Sequence, residues 1–178
     1  MVNKQTCSPA EYQKWVPLID GRSAHLRAIL GDDRNAILAL FDRLSPETRF
    51  LRFHYSKMKL TSEELDRYCL VDYYSSFALV AEMERGKCLE IVGVGRYVRL
   101  PCTDTAEIAF VVEDREQGNG IGTHLLYELA ALAKEKAVTS FVAELLNENM
   151  VMLDILRKFD PELKQVVDGN SLLITVSL

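Results

Sequence analysis

The apolar positions along this chain change period in blocks, and the blocks predict its elements. Residues 1–23 keep no sustained period and are expected to form an irregular N-terminal segment. His25–Leu30 reads as a short strand. From Asp32 or Asp33, either of which can cap a helix, Ala36, Ile37, Leu40, Phe41 and Leu44 recur at helical spacing. Ser45-Pro46 restarts a helix, with Ser45 as N-cap and Pro46 at the first helical position. Thr61-Ser62-Glu63-Glu64 has the form of a capping box and predicts a short helix to about Leu70.

The period then shortens. Phe77–Glu84, Cys88–Leu100 and Thr105–Val112 read as strands with short connections, the first of them Arg85-Gly86-Lys87, and predict an antiparallel meander. After Gly122 the spacing is helical again, with Leu125, Leu126, Leu129, Leu132 and Ala133 on one face. Phe141–Leu146 reads as a buried strand and Glu148–Phe159 as an amphipathic helix. Asp168-Gly169-Asn170 is a hairpin turn between Leu163–Val167 and Leu172–Val176. The expected fold is an α/β sheet, mixed and mostly antiparallel, with a strand–helix–strand unit at its centre.

Composition narrows the function classes. The 178 residues fit one domain with a full core, and no repeat, low-complexity tract or linker divides them. A net charge of -5 argues against nucleic acid or an anionic membrane as the main partner and suits a cationic substrate. No signal peptide and no span of about 20 apolar residues is visible, so a cytoplasmic protein is expected. Cys7, Cys69, Cys88 and Cys102 form no pair motif and read as reduced, mostly buried thiols. His25, His54 and His124 do not cluster with them, so no metal site is expected.

The candidate chemistry begins at Gln117-Gly118-Asn119-Gly120-Ile121-Gly122-Thr123, between a strand and a helix. Glycines let consecutive N–H groups approach a ligand at positive φ. The first amides of the helix lack internal partners, so the turn suits a phosphate or pyrophosphate. A Walker A loop would need a lysine before Thr123, where Gly122 follows Ile121. A dinucleotide fingerprint starting at Gly118 would need glycine or alanine at Thr123. The loop Glu113–Gln117 is also too long for that tight turn, although Glu144 sits near the acidic position that motif uses. Gln117, Gly120 and Gly122 do match Q/R-x-x-G-x-G/A. A plain glycine-rich helix cap is the alternative.

AEIAFVVEDREQGNGIGTHLL, followed by VAELLNENMVML, resembles the GNAT superfamily of N-acetyltransferases. LSPETRFLRFH (Leu44–His54) and VDYYSSFALVA (Val71–Ala81) are similar to its bacterial protein-lysine acetyltransferases. The resemblance covers about residues 24–160 and implies a GNAT fold that uses acetyl-CoA. It implies that the backbone amides of Gln117 to Thr123 hold the pyrophosphate. Phe110, Val111 and Val112 would pair with the pantetheine arm like an added strand. Asn149 would bond that arm or shape the exit of the thiol. A bulge would splay the Val111 strand from the Phe141 strand.

Direct attack on a thioester needs a free amine, whereas a lysine with pKa near ~10.4 is mostly protonated at neutral pH. A carboxylate beside the thioester can take that proton. Glu107 is the charged residue within TAEIAFVV, beside the small Ala109, and the resemblance assigns it as general base; a solvated surface glutamate is the bland alternative. Many relatives also carry a tyrosine acid seven residues after the asparagine. That position is Leu156 here, and the following Gly-Phe pair is Asp160-Pro161.

Arg49, Arg52, His54 and Tyr55 lie where such a fold places its acceptor, but read more simply as helix charges. Asp72, Tyr73 and Tyr74 are further acceptor candidates. Tyr12, Trp15, Met150 and Met152 read as packing residues. Three functions fit these residues: acetylation of a protein lysine, acetylation of a small amine, and non-catalytic acyl-CoA binding. The oligomeric state stays open, a homodimer included.

Overall fold

The computed structural model describes residues 8–178. Cys7 lies outside them. In chain order the elements are β1 (Gln13–Pro17), β2 (Ser23–Ala28), α1 (Arg34–Arg43), α2 (Pro46–Phe53), α3 (Ser62–Cys69), β3 (Ser76–Arg85), β4 (Cys88–Arg99), β5 (Thr105–Val112), α4 (Ile121–Glu135), β6 (Ser140–Leu146), α5 (Met150–Phe159), β7 (Lys164–Asp168) and β8 (Ser171–Ser177). The strands form one mixed sheet in the order β1-β2-β3-β4-β5-β6-β8-β7. Only the β5–β6 pair is parallel, as the α4 crossover between them requires.

The caps explain where the helices start. Ser45 accepts from the Thr48 amide at 3.1 Å and opens α2 with Pro46 behind it. Thr61 and Glu64 complete a reciprocal capping box on α3. One core cluster packs α4 and α5 on one sheet face, through Leu125, Leu126, Leu129, Leu153 and Leu156. The other packs α1 and α3 on the opposite face, through Ile37, Leu40, Phe41 and Leu65. None of the helices is long and apolar enough to cross a membrane.

Four expectations need correction. Residues 1–23 are not irregular throughout, because Gln13–Pro17 pairs antiparallel with β2, Trp15 opposite His25. Only Val16 of that strand is buried, so it carries no alternating apolar signal. Cys69 is buried as expected, but Cys88 and Cys102 are exposed; all three are free thiols. Met150 is exposed rather than core, whereas Met152 packs against the α4–α5 cluster. The bulge expected in β5 is missing, because its register with β4 runs unbroken from Arg99–Ala106 to Gly93–Val112.

Candidate functional site

The two central strands diverge. β5 pairs with β6 only at Thr105–Ser140, Ala106–Phe141 and Glu107–Val142. From Ile108 onward that edge of β5 has no strand beside it. The Glu113 amide donates to Val92 on the β4 side, so by strand alternation Phe110 and Val112 turn their N–H and C=O groups towards the open slot. The Val112 carbonyl there accepts from Gln117 Nε2 at 3.0 Å.

A groove of about 620 Å³ follows the slot, bounded by β5, the glycine-rich turn, α2 and α5. Glu107, Phe110, Val111, Val112, Gln117, Gly118, Gly120, Ile121, Gly122, Thr123 and Asn149 all line it. Asn119 does not. Its carbonyl accepts from the Ile19 amide at 3.2 Å, which ties the N-terminal segment to the turn.

Gly118 and Gly120 adopt φ of 79° and 94°, conformations that favour glycine. The amides of Gly118 through Thr123 donate to no acceptor among the described residues, and the first bond of α4 runs from His124 to the Gly120 carbonyl. A run of free amides at the positive end of a helix fits a pyrophosphate. Phe110 flanks the same groove. Its ring lies against Gly95 of β4, where an added Cβ would come within 2.7 Å of it.

The turn is anchored from below. Glu113 is 1% exposed and meets Arg43 Nε at 2.9 Å and an Arg85 guanidinium nitrogen at 3.1 Å. Burial alone would raise its pKa, but hydrogen bonds and charge from Arg43 and Arg85 hold it below its ordinary value. Glu116 is buried against Arg22 at 2.6 Å. Asp114 accepts from the Ser45 amide (2.9 Å), the Ser45 hydroxyl (2.6 Å) and the Thr48 hydroxyl (2.7 Å). Gln117 also reaches Thr48, at 3.2 Å. The turn and the start of α2 are therefore bonded directly to each other. Nothing in the local sequence marks these long-range bonds.

Glu107 is exposed and makes no hydrogen bond or ion pair among the described residues. It lies on the sheet face covered by α1–α3, with Ala109 and Val111. Arg52 and His54 of the α2 end also line the groove, and His54 Nδ1 is 3.8 Å from Glu144 Oε1 on the opposite wall. Asn149 caps α5 through Oδ1, which accepts from the Met152 amide at 3.2 Å and leaves Nδ2 free. Leu156 is fully buried, so α5 offers no hydroxyl at that position.

Several candidates fall away. Arg49 stacks over Phe41 at 4.4 Å. Asp72 is bound by the Tyr74 and Ser76 amides and the Ser75 hydroxyl, which outweigh its burial and hold its pKa at about 2. The Tyr73 hydroxyl donates to the Ile29 carbonyl at 2.7 Å. Neither Asp72, Tyr73, Tyr74 nor Tyr55 lines the groove. Among the described residues, no three His, Cys, Asp or Glu side chains gather as a metal site.

Comparison with known proteins agrees with this geometry. Residues 38–159 match the acetyltransferase (GNAT) family. An acetyltransferase of Pseudomonas aeruginosa is 30% identical over 146 residues, covering 82% of this chain and 78% of that protein. The acetyltransferase Pat of Mycolicibacterium smegmatis is 35% identical over 137 residues, 76% of this chain but only 40% of that longer protein. The solved GNAT domain of S. lividans PAT superimposes with a TM-score of 0.83 at 27% identity, covering 93% of this chain and 97% of that one. A cAMP-binding acyltransferase from Mycobacterium smegmatis gives a TM-score of 0.64 at 28% identity, over 93% of this chain and 47% of its own. The chain belongs to the GNAT family of acetyltransferases and is an acyl-CoA-dependent N-acetyltransferase.

Proposed function

We propose that this protein transfers the acetyl group of acetyl-CoA to a protein lysine by direct attack, with Glu107 as general base. The observation that carries this reading is the unpaired Glu107 carboxylate, facing the groove where β5 and β6 part. Acetyl-CoA supplies the acyl thioester. The amides of Gly118–Thr123 bind its pyrophosphate, and Phe110 and Val112 bond the pantetheine arm through their slot-facing backbone groups. Asn149 offers Nδ2 to the same arm.

On the opposite side, the lysine amine reaches the thioester carbonyl beside Glu107. Glu107 accepts a proton from the amine as the N–C bond forms and the C–S bond breaks. With Leu156 in the tyrosine position, the departing thiolate takes its proton from water. The reaction needs no covalent enzyme intermediate.

The test is mass spectrometry of protein and small-amine acceptors incubated with acetyl-CoA, comparing the wild type with Glu107→Gln. Acetyl-lysine on protein, lost in the variant, supports the proposal. Modification of small amines alone replaces the acceptor class. Undiminished turnover in the variant removes Glu107 from its role.

A further inference from the structure

Beside the main groove, sharing Arg52, Phe53, Ala109 and Val111 with it, lies a second, smaller space that the acetyl transfer described above does not use. It measures about 50 Å³, between the β4–β5 face and α1–α3. Its walls are apolar, from Phe41, Leu60, Val94 and Ala109, except for Arg52, Arg96 and the ring of Tyr68. A single water needs roughly 10–15 Å³, so the space admits a group of a few heavy atoms.

The two arginines meet no carboxylate directly among the described residues. Among the described residues neither forms a salt bridge, while Arg27, Arg43 and Arg85 each hold carboxylates. The Arg52 guanidinium lies over the Phe53 ring, at 5.1 Å. Arg96 has one bond to the Arg67 carbonyl, at 3.3 Å, and the Tyr68 ring at 5.4 Å. Burial lowers the pKa of both, and the charge of Arg52 adds to the lowering at Arg96, while the charge of Glu107 works the other way on each. Two half-buried cations line one apolar cavity, held by no salt bridge and offset by the charge of the exposed Glu107 carboxylate, so an anion that met them directly would be strongly favoured there.

Position gives that anion a role. Arg96 pairs with Ala109 across β4 and β5, and Val98 pairs with Glu107. Arg96 is therefore a diagonal neighbour of Glu107 on the same face, their Cβ atoms about 7 Å apart. Arg52 lines both this cavity and the main groove.

We infer that Arg52 and Arg96 form a carboxylate subsite for the acceptor, selecting an amine that carries an acid group a few bonds away. The subsite rests on the proposed acetylation of a lysine beside Glu107. The carboxylate belongs either to an acidic residue flanking the lysine in a protein or to the α-carboxylate of a free amino acid.

Two matched acceptor pairs distinguish these sources. One is a lysine peptide with Glu or Gln beside the lysine; the other is Nα-acetyl-lysine or its amide. The acidic member of one pair is expected to show roughly tenfold higher kcat/KM, mainly through KM, as a charge-assisted bond implies. In Arg52→Gln and Arg96→Gln the preference should fall towards one. Equal kcat/KM within both pairs, or a preference kept in both variants, overturns the subsite.

A binding measurement separates this inference from the chemistry. Glutarate, which has no amine, is expected to bind the wild type and to lose about tenfold in affinity in the double variant. Glutarate binding with no acetylation of any amine removes the lysine reaction and keeps the subsite. Equal glutarate binding by wild type and double variant removes the subsite, whatever acceptor is acetylated.

Discussion

Glu107 and Glu113 sit at opposite ends of the same structural feature, the first within β5 and the second just past its end. Glu113 is buried and gripped by Arg43 and Arg85 from two different elements. Glu107 is exposed to the groove and forms no salt bridge among the described residues, although it feels the charges of Arg52 and Arg96. A carboxylate whose charge is already neutralised by neighbours holds structure. A carboxylate left open at a divergent strand edge can exchange a proton with a ligand. The contrast separates the scaffold of this site from its chemistry more sharply than residue type does.

The largest effect is expected at Glu107. Glu107→Gln should lower kcat by roughly 10²–10⁴-fold at neutral pH, while stability stays within about 0.5 kcal/mol. Its residual rate should climb as pH approaches the lysine pKa of about 10.4, because the amine then deprotonates without help. Steady-state kinetics with acetyl-CoA across pH, alongside thermal unfolding, reads both halves. A stability loss equal to that of Glu113 variants would erase the contrast.

Glu113→Ala should do the reverse and destabilise the fold by about 3 kcal/mol. Arg43 and Arg85 would then lose the buried carboxylate between them and keep only the looser contacts to Glu90 and, for Arg85, Glu116. The sign of its pH dependence follows from the direction of its shift. The folded pKa lies below the ordinary 4.5, so the contribution is complete above that pH and is lost as pH falls through the lower folded value. Melting curves between pH 6 and 3 should therefore show the wild type losing stability below about pH 4.5. The variant should lose less over the same interval.

Gly120→Ala should cost about 1–2 kcal/mol through its φ of 94°, since the nearest atoms to an added Cβ are 3.8 Å away and strain rather than collision decides. The same change should weaken acetyl-CoA binding, measured by calorimetry, because it bends the row of free amides. An unchanged affinity would mean the turn is only a helix start. The smallest effect is expected at Asn149→Ala, about 1 kcal/mol from the lost α5 cap. A drop in coenzyme affinity larger than that would show that the free Nδ2 binds the ligand as well.

Much of the scaffold was legible because it is built from local periods and local caps. The Leu125–Ala133 face, the Thr61 capping box and the Asp168-Gly169 turn each specify their element within a few residues. β1 was not legible, because a single buried residue in five makes no pattern. The turn's anchors were also invisible. Asp114 meets Ser45 across sixty-nine positions of sequence and Glu113 meets Arg43 across seventy.

By itself, the sequence determined the order of elements from β2 onward, the glycine-rich turn before α4 and the presence of an acid in β5. These depend on spacing of a few residues and on backbone freedom, which neighbouring side chains set. Only the tertiary structure decided which charges are spent. It closed Arg43 and Arg85 onto Glu113, left Arg52 and Arg96 outside any salt bridge among the described residues, and parted β5 from β6 beyond Glu107. Those outcomes follow from which elements pack together, and no local pattern in the chain encodes them.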